Sequence, residues 1–181
     1  HGNEPTEMAL LNHVSAYVGQ TCYVVHRLDK ETSGAILFAK NPFILPILNR
    51  LLENKDISRE YWSLVQGTFE PKHQVFQDKI GRHRHDRRKR VVDPKNGQRA
   101  ITIVDRLKVF SKGSLVCCRL KTGRTHQIRV HLSAHHYPII GDPLYSHVSD
   151  DRLMLHAHKL SFTHPLTLQK ISVEPHSDTF E

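Results

Sequence analysis

The sequence predicts a mixed α/β fold, and three observations carry that prediction. Apolar residues recur at helical spacing over residues 6–18 and 44–52. Strand-like runs bounded by turn residues occupy much of the remainder, as in Tyr61 to Val65, ended by Gly67. The two kinds of segment follow one another without an internal repeat or a low-complexity linker, so 181 residues offer no evident domain boundary. A chain of this length can bury one real core.

Thr6 to Val18 is expected to be an amphipathic helix, with Leu10, Leu11, Val14 and Tyr17 or Val18 on one stripe. Two strand-like segments follow, Tyr23-Val24-Val25 and Ala35 to Ala39, joined by a short polar connection ending in Ser33-Gly34. Asn41-Pro42 marks a helix start, and Ile44, Ile47, Leu48, Leu51 and Leu52 keep helical spacing up to Glu53, with Pro46 in the first turn or kinking it. Tyr61 to Val65 is a strand. Beyond a basic stretch read as a loop, Asp93-Pro94-Lys95-Asn96-Gly97 is a turn and Ala100 to Phe110 is extended. Ser111-Lys112-Gly113-Ser114 is a hairpin turn, and Leu115 to Leu120 returns. That strand runs into a turn at Gly123. Thr125 can cap the next helix, whose Ile128, His131 and Leu132 can face the core. Pro138 to Tyr145 is a structured connection whose path its Gly and Pro residues fix.

Lys and Arg number 26 against 18 Asp and Glu, a net charge of +8, which makes a polyanion the first partner to consider. The excess is concentrated. From Lys79 to Arg99 the chain carries nine Lys or Arg, among them Arg82, Arg87, Arg88 and Lys89, against Asp86 and Asp93. Such a run is either a solvated charge block or a phosphate-contacting loop, and its mid-chain position favours the loop. No apolar run approaches membrane-spanning length. The start, His1-Gly2-Asn3-Glu4-Pro5, has neither an initiator Met nor a secretory leader, so a fragment lacking its first segment is expected. Cys22, Cys117 and Cys118 give an odd count without disulfide or zinc-ribbon spacing, which points to a reducing, cytoplasmic setting. Fifteen His residues include no HExxH pattern, so no metal is expected.

Two stretches carry chemistry. In His26-Arg27-Leu28-Asp29-Lys30-Glu31-Thr32-Ser33-Gly34, Asp29 lies between two cations inside an otherwise apolar run. A partly desolvated carboxylate there needs a cationic partner; with one it stays ionised and can act as nucleophile or base. The alternative is an Asp that only shapes a turn. In Lys121 to Leu132, Arg124 stands beside a helix start suited to an anion, and Arg129 lies further along the helix. An inward-facing Arg129 would need a carboxylate, and Asp29 has the matching need; ordinary surface arginines are the alternative.

Together these segments resemble the RluA-type family of pseudouridine synthases. His26 to Gly34 resembles its HRLDxxTSG signature, and Lys121 to Tyr145 its TGRTHQIRVH and PIxGDxxY segments in the same order. Arg59-Glu60-Tyr61 is similar to its K-x-Y motif with Arg for Lys. Leu155-His156-Ala157, with Phe162-Thr163-His164-Pro165, resembles its ending, so the likeness spans residues 26–167. The family's early K-P-x-G segment and any S4-like RNA-binding domain are not in the chain.

The resemblance implies a synthase catalytic domain over residues 1–181, with a long, mainly antiparallel mixed sheet, helices at its sides and a central cleft. It implies isomerisation of uridine to pseudouridine in ribosomal or transfer RNA, with Asp29 as the catalytic carboxylate, Arg129 as its partner and Tyr61 against the uracil. Arg27 would fill the space of the flipped base and Leu155 would wall the base. Arg124, Arg82, Arg87, Arg88 and Lys89 would contact RNA. No cofactor is implied, and no dinucleotide fingerprint or P-loop is present. A monomer is expected. Two rival readings are an RNA-binding module without catalysis and a His-rich, metal-dependent RNA hydrolase.

Overall fold

The computed structural model describes residues 9–180. Its elements in chain order are α1 (Leu10–Val18), β1 (Tyr23–Val24), β2 (Ser33–Gly34), β3 (Phe38–Ala39), α2 (Leu45–Asn54) and β4 (Ser58–Gln66). β5 (His73–Phe76), β6 (Ile80–Arg82), β7 (Arg90–Val92), β8 (Thr102–Phe110) and β9 (Gly113–Leu120) come next. α3 (Gln127–Ala134), β10 (Leu155–Thr163) and β11 (Lys170–Val173) complete the set.

One sheet organises the chain, in the order β11-β10-β4-β9-β8-β5, with β2 also paired to β10. Every pairing along that order is antiparallel, and β2 with β10 is parallel, so the sheet is mixed but mainly antiparallel, as expected. Strand alternation explains which face is covered. Along β4, Tyr61, Ser63 and Val65 are buried while Glu60, Trp62 and Leu64 between them are half-buried. The buried face, with Val104, Val116 and Cys118, packs against Ile128 and Leu132 of α3 and against Ile139. A second core forms where Leu48 and the partly buried Leu51 and Leu52 of α2 meet Val25, Ile57 and the far half of β10, Leu160 and Phe162. β10 therefore belongs to both cores. The three cysteines are free and buried.

The β2–β10 contact pins the Asp29 segment to the sheet. Ser33 is in register with His156 and Gly34 with Ala157. Gly34 has φ +110°, and a Cβ there would strike the Ala157 backbone, so the close approach requires glycine.

Several sequence expectations need correction. Thr6 to Met8 of the expected first helix lie outside the described residues, and α1 buries Leu11, Val14 and Val18 only in part. Leu10 and Tyr17 face solvent at 55% and 93% exposure. The strand pair around Asp29 shrinks to two residues each, Tyr23 with Ala39 and Val24 with Phe38, because the chain between them turns away to reach β10. The hairpin turn is Ser111-Lys112; Gly113 and Ser114 are already paired in β9. The basic stretch is a ribbon, β6 paired with β7, and not simply a loop. Thr125 does not cap α3: His126 occupies the cap position at φ 56° without a side-chain cap bond. Instead the buried Gln127 side chain ties the turn, its Oε1 accepting from the Arg124 N–H at 3.0 Å and from Thr122 Oγ1 at 2.7 Å. Among the described residues, no helix is long and apolar enough to cross a membrane.

Candidate active site

A cleft of about 690 Å³ opens between the His26–Thr32 segment and the turn that enters α3, with β4 and the start of β10 as its base. Asp29, Arg27, Tyr61, Arg124, Arg129 and Leu155, named from the sequence, all line it.

Three elements place the central group. Ile128, Val130 and Leu132 bury α3, and with them Arg129, whose side chain is 1% exposed. A guanidinium so deep must be matched by carboxylates. Its Nη1 donates to Asp29 Oδ2 at 3.0 Å, while Nε and Nη2 donate to the two oxygens of Asp142 at 2.8 Å each. Burial opposes the charge, but Asp142 and Asp29 outweigh it and hold the Arg129 pKa above its ordinary value. Asp142 is itself set by its turn, where Oδ1 accepts from the N–H groups of Leu144 at 2.9 Å and Tyr145 at 3.2 Å. Asp29, 24% exposed, thus faces the cleft with a fixed cation behind it.

Tyr61 and Leu155 form the apolar wall, 5% and 3% exposed, on the neighbouring strands β4 and β10. Burial raises the Tyr61 phenol above its usual pKa and Asp29 adds to the shift, while Arg59 opposes it. The phenol therefore stays protonated at neutral pH.

On the other side of Asp29 a polar chain leads to the basic ribbon. His126 Nε2 lies 4.0 Å from Asp29 Oδ1, and its Nδ1 is 2.8 Å from the Tyr145 hydroxyl, which accepts the Arg90 backbone N–H at 2.7 Å. Burial lowers the His126 pKa, although Asp29 pulls the other way. His26, which also lines the cleft, accepts the Leu37 N–H through Nε2 at 3.1 Å, which places its proton on Nδ1. Burial and the nearby Arg59 lower its pKa to about 4.

The remaining RNA-contact candidates lie elsewhere. Arg82 lines a smaller cavity adjoining the cleft. Arg87, Arg88 and Lys89 sit at the ribbon's tip, between β6 and β7. Arg88 is already paired with Asp86 at 2.8 Å. Asp142, His126, Tyr145, Arg59 and Arg90 were not singled out from sequence as site residues. A signal existed for Asp142: an inward Arg129 that shares only one bond with Asp29 needs a second carboxylate, and the Gly141-Asp142-Pro143 turn supplies one. Among the described residues, no group of three or more His, Cys, Asp or Glu could hold a metal ion.

Residues 3–134 match the family described as RNA pseudouridylate synthase. The chain belongs to that family. It is 41% identical over 187 residues to an uncharacterized RNA pseudouridine synthase of Bacillus subtilis, YhcT, covering 96% of this chain and 61% of that protein. It is likewise 41% identical over 171 residues to the ribosomal large subunit pseudouridine synthase D of Nitrosomonas europaea, covering 87% of this chain and 48% of the relative. The chain thus spans roughly half to three-fifths of these curated relatives. Human RNA pseudouridylate synthase domain containing 1 superposes with a TM-score of 0.79 at 26% identity, over 93% of this chain and 74% of the human one. The expected synthase architecture is therefore the one observed, and the RluA-type resemblance holds.

Proposed function

We propose that this chain is the catalytic domain of an RNA pseudouridine synthase, isomerising uridine with Asp29 as the catalytic carboxylate. The observation that carries the reading is the 3.0 Å bond from buried Arg129 to Asp29, on the rim of a cleft walled by Tyr61 and Leu155.

In the reaction the N1–C1′ bond of uridine breaks, the freed uracil turns over, and C5 bonds to C1′. The C5 proton is then lost and N1 gains one, so atoms and electrons balance without a cofactor. Asp29 either attacks C1′ or removes the C2′ proton. Arg129 holds it aimed in both routes through the 3.0 Å bond. Tyr61 offers a ring face to the uracil, and Leu155 closes the apolar wall around the base. The target base must leave its stack, at a cost of a few kcal/mol. Arg27, exposed at the cleft's edge, is assigned to the space it vacates.

RNA is the partner, and the names of the relatives favour ribosomal over transfer RNA. Arg82, Arg87, Arg88, Lys89 and Arg124 are assigned to its backbone. The domain is proposed to act as a cytoplasmic monomer.

The test is release of tritium from RNA labelled at uridine C5. Wild type is expected to release label and Asp29→Ala to release none while still binding RNA. No release by wild type from ribosomal or transfer RNA would favour a binding module instead.

A further inference from the structure

Beside the cleft lies a second cavity of about 320 Å³, sharing Arg90, Arg124 and Thr125 with it. Its other lining residues include Gly81, Arg82, Asn96 and Gln98. The volume is at the small end of ligand pockets. Its chemistry is lopsided. Arg82, Arg90 and Arg124 contribute three guanidinium groups, and no lining residue is acidic. The neighbouring Asp93 does not line the cavity: its Oδ1 accepts from the N–H groups of Lys95 and Asn96 at 3.1 and 2.9 Å, and its Oδ2 lies 3.0 Å from where a Cβ on Gly81 would sit.

Two of the three cations are held in place before any ligand arrives. Arg124 Nε donates to the Arg99 carbonyl at 3.0 Å, and Arg90 Nη1 to those of Lys89 and Arg87 at 3.0 and 3.2 Å. These bonds orient the cations without neutralising them. Gln98 exchanges two backbone hydrogen bonds with Ile80, both 2.9 Å, which fixes where its side chain leaves the ribbon. At Gly81 a Cβ would come within 2.9 Å of Asp93 Cβ, so β6 packs closely on the Asp93 turn there.

Guanidinium groups suit a phosphate. A carboxamide suits something else, because its paired donor and acceptor match the edge of a base, best the N6/N7 edge of adenine. Two carboxamides beside three cations therefore describe a nucleotide and not an isolated phosphate. We propose that this cavity binds a purine nucleotide flanking the target uridine, with Arg82 and Arg124 on its phosphate and Asn96 and Gln98 on its base edge. This rests on the RNA-isomerase reading for the identity of the ligand, and gives the basic ribbon a base-reading role in addition to its grip on the backbone.

The test is a ¹H–¹⁵N NMR titration of the chain with AMP, GMP, CMP, UMP and ribose 5-phosphate at fixed ionic strength. Purine monophosphates are expected to shift the Asn96 and Gln98 side-chain amides and the Gly81 N–H saturably. Their affinity should be roughly tenfold above that of ribose 5-phosphate, the worth of one well-placed base contact. Asn96→Ala with Gln98→Ala should abolish that preference and keep ribose 5-phosphate binding. Equal affinities for ribose 5-phosphate and the purine monophosphates, shifts confined to Tyr61 and Leu155, or no saturable shift would overturn the proposal. No turnover is involved, so a failure here is distinct from absent tritium release.

Discussion

Asp142 grips Arg129 through both carboxylate oxygens, 2.8 Å from Nε and 2.8 Å from Nη2, while Asp29 shares only Nη1. The structural carboxylate thus fixes the guanidinium plane. That leaves the single remaining bond to orient Asp29.

Asp142→Asn tests that division of labour. The side chain is fully buried, so loss of its charge leaves Arg129 with one carboxylate in place of two. A destabilisation of about 3–5 kcal/mol is expected, the usual cost of breaking a buried pair from one side. Urea unfolding at neutral pH measures it. A change within 1 kcal/mol would mean that Asp29 alone can hold Arg129.

His26 makes stability fall in mild acid. Its pKa is about 4 in the fold against 6.5 as its ordinary value, so between those limits the unfolded chain binds a proton that the folded chain refuses. Its contribution is complete above pH 6.5 and is lost as pH falls towards 4, for about 3 kcal/mol in all. His126 and His131, also lowered by burial, act with the same sign. His26→Gln keeps an acceptor for the Leu37 N–H but does not titrate. Its unfolding free energy should drop less than that of wild type between pH 6.5 and 4.5, and parallel curves would refute the assignment.

The cations of the ribbon and of the turn before α3 should not contribute equally to RNA binding. Arg82→Ala and Arg124→Ala are each expected to lower the salt-dependence slope by about one, as for a lost phosphate contact. Arg88→Ala should change it less, because Asp86 already partners that guanidinium. Filter-binding across a salt series measures the slopes; a larger effect from Arg88 would show that RNA displaces Asp86.

The sequence made the central pair legible for a physical reason. Asp29 and Arg129 each stand in an apolar neighbourhood that tolerates a charge only with a partner, and that mutual need survives without coordinates. Tyr61 and Leu155 were reached through motif likeness alone, since a strand pattern does not say which buried side chains border a cleft. The α1 stripe failed because Leu10 and Tyr17 meet no covering surface among the described residues, and periodicity reports only that a helix could bury one face. Thr125 failed as a cap because the neighbouring Gln127 side chain ties the turn from within the helix, a long-range bond network through Ile101 and Thr102 holding it there. The His126–Tyr145–Arg90 chain joins three separate segments through a hydroxyl and a backbone N–H, and neither group is visible in a residue pattern.

The pinning of Ser33-Gly34 on β10 also bears on how the chain acquires its site. That contact spans 123 residues from Ser33 to His156, and the bond between Asp29 and Arg129 spans 100. Closing loops of that size costs chain entropy before any contact repays it, and topologies rich in such closures fold slowly. The helices and the β8–β9 hairpin can form from nearby residues, whereas Asp29 meets Arg129 only after its segment, β10 and α3 have come together. A partly folded or nascent chain therefore carries its basic ribbon, closed between residues 80 and 92, before the bond between Asp29 and Arg129 is assembled.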